Sequence, residues 1–264
     1  MENKTVMHIA QYAAPYMGNF IGSLVTLENK LKEHNCKMIY VFPVECKKTD
    51  WVDDFAKEHT VYFVDSPKYR LKVFLDNNLI KQLKDIIEKE KPDIIHTHFD
   101  GYDVPVVKAA NKDIKVIWHY HTAREYMKDI VRNTYQKISF YIQYHIYGKS
   151  ANIISVSKEY IKWIEEQGGW SEKIIAIPNG INENRIEMKD IKENKLNNFL
   201  CYGGRWGTKG LDILLEAMDK INKKKIEYTV LLTKGADTVK MLNKMGGGIR
   251  ICGLLNKEKI SMNF

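Results

Sequence analysis

Leu200-Cys-Tyr-Gly-Gly-Arg-Trp-Gly-Thr-Lys-Gly-Leu-Asp-Ile-Leu-Leu-Glu-Ala-Met218 reads as a strand, a glycine turn and a helix. A short apolar run ends in Gly203-Gly204, and Arg205 and Lys209 stand on the small-residue turn that follows. Leu211, Leu214, Leu215 and Met218 then recur at helical spacing. In that order, unpaired backbone N–H groups and the positive end of the helix dipole gather around one point. With two cations on the same turn, the predicted occupant of that point is a phosphate or diphosphate.

Apolar runs alternate with helical patterns on both sides of this stretch, as in βαβ units built on a parallel sheet. Upstream, the predicted strands are Val6–Tyr12, Met38–Phe42, Val61–Val64, Asp93–His98, Val116–Tyr120, Asn152–Val156 and Ile174–Ile177. Helices are predicted over Ile21–Glu33, Val73–Lys89 and Lys158–Gln167. Pro178-Asn-Gly180 breaks the alternation, and the charged stretch Ile181–Asn197 lacks strong periodicity. Two domains are therefore expected, 1–180 and 181–264. In the second, strands at Phe199–Tyr202, Tyr228–Leu232 and Ile249–Cys252 alternate with helices at Lys209–Asn222, Thr238–Met245 and Lys257–Phe264. It is short for a domain of this kind, and the expectation is of a fold cut off before completion.

The chain has 264 residues, 44% hydrophobic and 28% charged, which fits a globular protein. No apolar run approaches the roughly 18–20 residues of a membrane span. The N-terminus does not read as a signal peptide, and the four cysteines are scattered without a CxxC pair. A reducing, cytoplasmic setting is expected. Residues 1–180 carry 25 Lys+Arg against 23 Asp+Glu, whereas residues 181–264 carry 16 against 10. The excess charge lies with the opening stretch and suits an anionic ligand; a plainly solvated basic surface fits it about as well. No nucleic-acid-binding motif accompanies it.

Three further features bear on chemistry. The first strand runs into Ala13-Ala-Pro-Tyr-Met-Gly18-Asn19 and a helix, a second turn with N–H groups aimed past the strand end. His96-Thr-His98 and His119-Tyr-His121 each place two imidazoles on one face of a strand. Metal binding is the sharper reading, but no Asp or Glu set accompanies the pairs. One histidine contacting substrate while its neighbour packs is the preferred one. After His121, Tyr126, Tyr135, Phe140, Tyr141, Tyr144 and Tyr147 interleave with Lys128, Arg132 and Lys137. That mixture suits a membrane interface or a lipid-linked acceptor, although a core helix with surfacing hydroxyls is the simpler account.

Taken together and in order, several motifs resemble the retaining glycosyltransferases of family 4. They are Gly18-Asn19, Pro92-Asp-Ile-Ile-His-Thr-His98, Trp118-His-Tyr-His121-Thr122, Ile154-Ser-Val-Ser-Lys158, Ile177-Pro-Asn-Gly-Ile181 and Gly203–Met218, followed by Lys234-Gly235 and Ile251-Cys-Gly253. The resemblance implies an α/β, GT-B type fold of two Rossmann-like, doubly wound parallel-sheet domains, the second incomplete here. It implies Arg205 and Lys209, with Gly204, at the diphosphate of a nucleotide-sugar, and His121 at the sugar as the catalytic residue. Gly18-Asn19 would be the loop close to the donor phosphates, and Asn179-Gly180 the hinge motif beside the donor. Fixed cations at the departing diphosphate would make a metal unnecessary, so no cofactor is expected. Three departures stand out. Arg205 and Lys209 are closer in sequence than is usual, Asn19 replaces a common second glycine, and the acidic pair of the family would fall after residue 264.

The expected activity is transfer of a sugar, with retention, to a saccharide or lipid-linked acceptor in cell-surface polysaccharide or glycoconjugate synthesis. The expected place is the cytoplasm, with peripheral contact at the anionic inner face of the membrane. The alternative is a truncated, catalytically incomplete relative that binds without transferring. A metal-dependent hydrolase built on the His-x-His pairs ranks below both.

Overall fold

The computed structural model describes residues 3–68, 76–121, 134–166, 173–180, 198–201, 210, 213–214, 216–218, 220, 229–233 and 249–252. The chain divides into two compact units, Met1–Ile186 and Glu187–Phe264.

Among its described residues the first unit has seven strands: β1 (Thr5–Ala10), β2 (Lys37–Pro43), β3 (Val61–Val64), β4 (Ile94–His98), β5 (Lys115–Tyr120), β6 (Ala151–Ser155) and β7 (Ile174–Ala176). They form one sheet in the order β3-β2-β1-β4-β5-β6-β7, and every pairing is parallel. Parallel strands need long crossovers, which the sequence supplies as helices. Helices α1 (Gly18–Lys32) and α2 (Val52–Glu58) supply Ile21, Leu24, Val52 and Phe55 to one face, against Val6, Ala10, Tyr40 and Phe42. On the other face lie α3 (Asn77–Glu90), α4 (Asp103–Ala109) and α6 (Lys158–Glu166), against Met7, Ile9, Ile95, Val116 and Trp118. The side changes between β1 and β4, so the sheet is doubly wound with its switch point there.

Local chemistry sets the helix ends. At α3 the Asp76 carboxylate accepts the N–H groups of Asn78 and Leu79 at 3.2 and 3.3 Å. Leu79, Leu83 and Ile87 fall on the buried face, and Lys91 closes the helix in the left-handed region at φ 47°, directly before Pro92. Between α5 (Thr134–Ile142) and β6 the chain widens into one π-helical stretch, Gln143–Tyr147. This turns two consecutive residues, Gln143 and Tyr144, into the core.

The described part of the second unit is a parallel sheet in the order β10-β9-β8, with β8 at Asn198–Cys201, β9 at Thr229–Thr233 and β10 at Ile249–Cys252. Gly210 has φ 67°, and its carbonyl accepts the Leu214 N–H at 2.9 Å as a helix begins. The helices expected at 238–245 and 257–264 lie outside the described residues, as do Gly203, Gly204, Arg205 and Lys209.

Candidate functional site

Because all seven strands of the first unit are parallel, their C-terminal ends share one edge of the sheet. The crevice at the switch point opens there, between the ends of β1 and β4. Two tight turns shape it. After β1, Gly18 has φ 61°, and a Cβ at that position would sit 2.8 Å from the Tyr12 hydroxyl, so only glycine fits without a shift. That hydroxyl donates to the carbonyls of Tyr16 and Met17, at 3.0 and 3.2 Å, and fixes the entry to α1.

After β4, Phe99 and Asp100 both lie in the left-handed region, at φ 64° and 53°. Such residues cost about 1–3 kcal/mol each and persist where their surroundings over-determine them. The result is a Phe99 ring fixed at the rim, 4.7 Å from Phe20 and 4.6 Å from His121 between ring centroids.

Five imidazoles converge beside these turns. His8 on β1 aligns with His96 on β4, and His98 aligns with His119 on β5. His121 follows β5 directly. Nδ1 of His8 lies 3.0 Å from Nε2 of His98, and Nδ1 of His98 lies 3.0 Å from Nε2 of His121. Beside this row, Nε2 of His96 lies 3.2 Å from Nδ1 of His119. Nε2 of His8 and Nε2 of His119 are buried without a hydrogen-bond partner.

Burial disfavours the imidazolium in every ring. It pushes His8 and His121 down to about 3 and His119 to about 4, the positive form of His119 adding to the effect on the first two. His96 and His98 are held well below the ordinary imidazole range by burial and by the neighbouring rings. At neutral pH the cluster is therefore uncharged, and each ring has one N–H and one lone pair to offer. The row His8–His98–His121 accordingly reads as neutral N–H···N hydrogen bonds running from the buried strand to the rim.

The opposite sides of the same two strands carry a different polar group. Thr97 and Tyr120 donate to the two carboxylate oxygens of buried Asp103, at 2.5 and 3.0 Å, and the Gln143 amide donates to the Tyr120 hydroxyl at 3.5 Å.

Of the residues singled out in the sequence, Gly18, Asn19 and His121 come together at this edge. Phe20, next to Asn19, meets the His121 ring edge-on at 5.4 Å. Asn179 and Gly180 follow β7 at the same edge, exposed, two strands along from β5. Gly204, Arg205 and Lys209 lie outside the described residues. The sequence reading missed His8, Phe20 and Phe99. His8 had only its polar side chain in an apolar run to betray it, and its position opposite His96 depends on a pairing across 88 residues.

In the aromatic–basic segment, Tyr144 is buried and shares a 3.0 Å hydrogen bond with Tyr160, as a core residue does. Ile138, Tyr141 and Ile146 are more than half exposed. Tyr126, Lys128 and Arg132 lie outside the described residues. Among the described residues, no helix is long and apolar enough to cross a membrane.

The chain belongs to Glycosyltransferase Family 4, whose model matches residues 24–185, more than half of its length. No curated protein matches it. Among solved structures it is similar to Alr3699/HepE from Anabaena in complex with UDP and glucose, with a TM-score of 0.68 and 13% identity over 98% of this chain and 72% of that one. It is similar to the apo form of the lipopolysaccharide outer core galactosyltransferase WaaB, with a TM-score of 0.67 and 13% identity over 98% and 71% of the two chains. It is also similar to a glycosyltransferase from Rickettsia africae, with a TM-score of 0.66 and 17% identity over 99% and 71%. These likenesses establish the GT-B type α/β fold.

Proposed function

We propose that this glycosyltransferase moves a sugar from a nucleotide-sugar to a saccharide or lipid-linked acceptor with retention of anomeric configuration, in the synthesis of cell-surface polysaccharide or glycoconjugate. The observation that carries the reading is the meeting of the Gly18–Asn19 turn and His121 at the strand ends of a family 4 chain. UDP and glucose, held by the similar Anabaena protein, exemplify the donor class proposed.

In the proposed reaction the bond from the anomeric carbon to the diphosphate breaks. A bond to the acceptor hydroxyl oxygen forms on the same face of the sugar. The proton of that hydroxyl passes to a departing phosphate oxygen, so no protein base is needed, and the direct same-face attack uses no protein nucleophile. Arg205 and Lys209 neutralise the charge that grows on the diphosphate, which makes a metal cofactor unnecessary. Gly18 and Asn19 let backbone approach the phosphates, and Asn179-Gly180 flank the donor. His121 hydrogen-bonds the sugar or acceptor. A neutral ring suits that task, because it can donate or accept without adding charge near the reaction centre.

The test is transfer from nucleotide-sugars to oligosaccharide acceptors, with the product anomer read by NMR. Retention and a rate that EDTA does not lower are expected. Arg205→Ala should lower turnover by roughly 100-fold or more, the scale on which one group stabilising developing charge acts. A wild-type rate in Arg205→Ala would overturn the diphosphate assignment, and an inverted product the stereochemical one.

Peripheral membrane contact belongs to the same proposal, through exposed Ile138, Tyr141 and Ile146 beside Lys137 and Lys149. Co-sedimentation with anionic vesicles at low salt tests it. Protein left in the supernatant removes it.

A further inference from the structure

The histidine cluster contains more than a substrate contact requires. One ring nitrogen from each of His98, His119 and His121 lies within 4.8 Å of the other two, and the set includes no carboxylate. We propose that these three residues form a binding site for a zinc-class transition-metal ion, with His8 and His96 as the groups that orient two of its ligands.

Geometry supports this first. Two imidazoles on one tetrahedral zinc, each about 2.0–2.1 Å from the ion, bring their nitrogens to roughly 3.3 Å. Nδ1 of His98 and Nε2 of His121 are already 3.0 Å apart. Small rotations of side chains at a rim would admit the ion.

The outer contacts fit as well. A ligating histidine almost always donates its other ring N–H to a partner, which fixes the tautomer that faces the metal. His98 has such a partner in Nδ1 of His8, and His119 has one in Nε2 of His96. With Nδ1 of His119 directed to His96, Nε2 is its remaining nitrogen, and that atom is buried without a partner. A buried polar atom left unpaired carries its full desolvation penalty. A metal ion removes that penalty; packing alone does not.

A second triad, His8, His96 and His98, also meets the spacing, but two of its members, His8 and His98, are fully buried and only His96 is partly exposed. In the outer triad two members, His119 and His121, are partly exposed, which places it nearer the surface. Three neutral imidazoles leave the ion its full double charge and an open position for water or an oxygen ligand. An all-nitrogen donor set favours zinc, copper or nickel over magnesium, calcium or manganese.

Binding of the ion stands apart from the transfer reaction proposed above. Its consequence for that reaction rests on the reading of His121. A metal that takes a ring nitrogen of His121 lowers transfer without being needed for it.

The deciding measurement is a cobalt(II) titration of tag-free, chelator-treated protein, followed by visible d–d absorption and then by displacement with zinc. One cobalt per chain with intense low-symmetry bands is expected, and zinc should abolish the bands stoichiometrically. His119→Gln and His121→Gln should each lose the bands. His121 is at the rim, so its variant keeps the test decisive where His119→Gln folds poorly. His96→Gln should weaken affinity roughly 10–100-fold, as loss of an outer partner does. His145→Gln, outside the cluster, should bind like wild type. Absence of d–d bands in wild type, or bands that persist in His121→Gln, would overturn the site, whatever the fate of the transfer assay.

Discussion

The alternating residues of β4 and β5 feed two polar clusters on opposite faces of one sheet, and the clusters differ in kind. On one side Thr97 and Tyr120 converge on Asp103, with Gln143 completing a network of hydroxyls, amide and carboxylate. On the other, His96, His98, His119 and His121 join His8 in a set whose members bond mainly to one another, with two buried nitrogens, on His8 and His119, left unpaired. The first cluster has its hydrogen bonds closed within the protein, and such networks stiffen a core and specify its packing. The second is incomplete by the same accounting and lies at the open edge of the sheet. An unsatisfied polar group in a well-packed interior calls for an explanation; a ligand at the rim supplies one. The comparison separates a group that holds the fold from a group that awaits something.

Breaking each cluster should therefore give different phenotypes. The largest effect is expected from His121→Ala, with turnover down roughly 100–1,000-fold and a loss of stability smaller than that from removing Asp103. Steady-state kinetics beside calorimetry read both quantities, and an equal loss of stability would erase the distinction between the clusters. Asp103→Ala should do the reverse. It leaves the Thr97 and Tyr120 hydroxyls short of a buried acceptor, so stability should fall by about 2–4 kcal/mol, with the turnover of the folded fraction preserved. Denaturant unfolding checks the first part and active-site titration the second.

Acid sharpens the same contrast. Each ring of the imidazole cluster has a folded-state affinity for protons depressed below its value in the unfolded chain, near 6.5. The unfolded state thus binds more protons as pH falls. The stability contributed is complete above about pH 7 and is lost as pH drops through 6.5 towards 4, with a slope of up to about 1.4 kcal/mol per pH unit for each titrating ring. Melting temperatures of metal-free protein across that range test this, and a flat profile would show that the rings are not buried as neutral groups. The smallest effect is expected from Gly18→Ala. It forces alanine to φ 61° against the Tyr12 hydroxyl, and should cost about 1–2 kcal/mol and raise the KM for donor more than it lowers kcat.

Much of the architecture could be read in the amino acids, because alternation and periodicity are local. The strand ends fell within two residues of those observed, since Gly, Pro and charged residues bracket each apolar run. Helix α3 was legible from Ile80, Leu83, Ile86 and Ile87 on one face, of which Leu83 and Ile87 are buried. Helices α2 and α4, at seven residues each, span under two turns and leave no periodic signal. The two His-x-His pairs were visible as pairs. Their union was not, because strand register across a parallel sheet is a tertiary fact. His8 was lost for the same reason, since nothing local in Val6-Met-His-Ile-Ala10 says which residue will oppose it. Nor could a pattern reveal the left-handed Phe99, a residue that no propensity places there and that packs against the His121 ring.

The position of β1 at the middle of the sheet carries a kinetic consequence. The partner of β1 on one side, β2, is complete once residue 43 has been made, but its other neighbour, β4, is complete only at residue 98. Until then the flank of the strand that bears His8 is an open edge, the kind on which chains associate wrongly. Closing so distant a pairing is slow, because the entropy of the intervening loop is lost before the contacts form. The imidazole cluster therefore comes into being only at that closing step. A probe that senses it, such as bound cobalt, would report the joining of the two halves of the sheet on the timescale of folding itself.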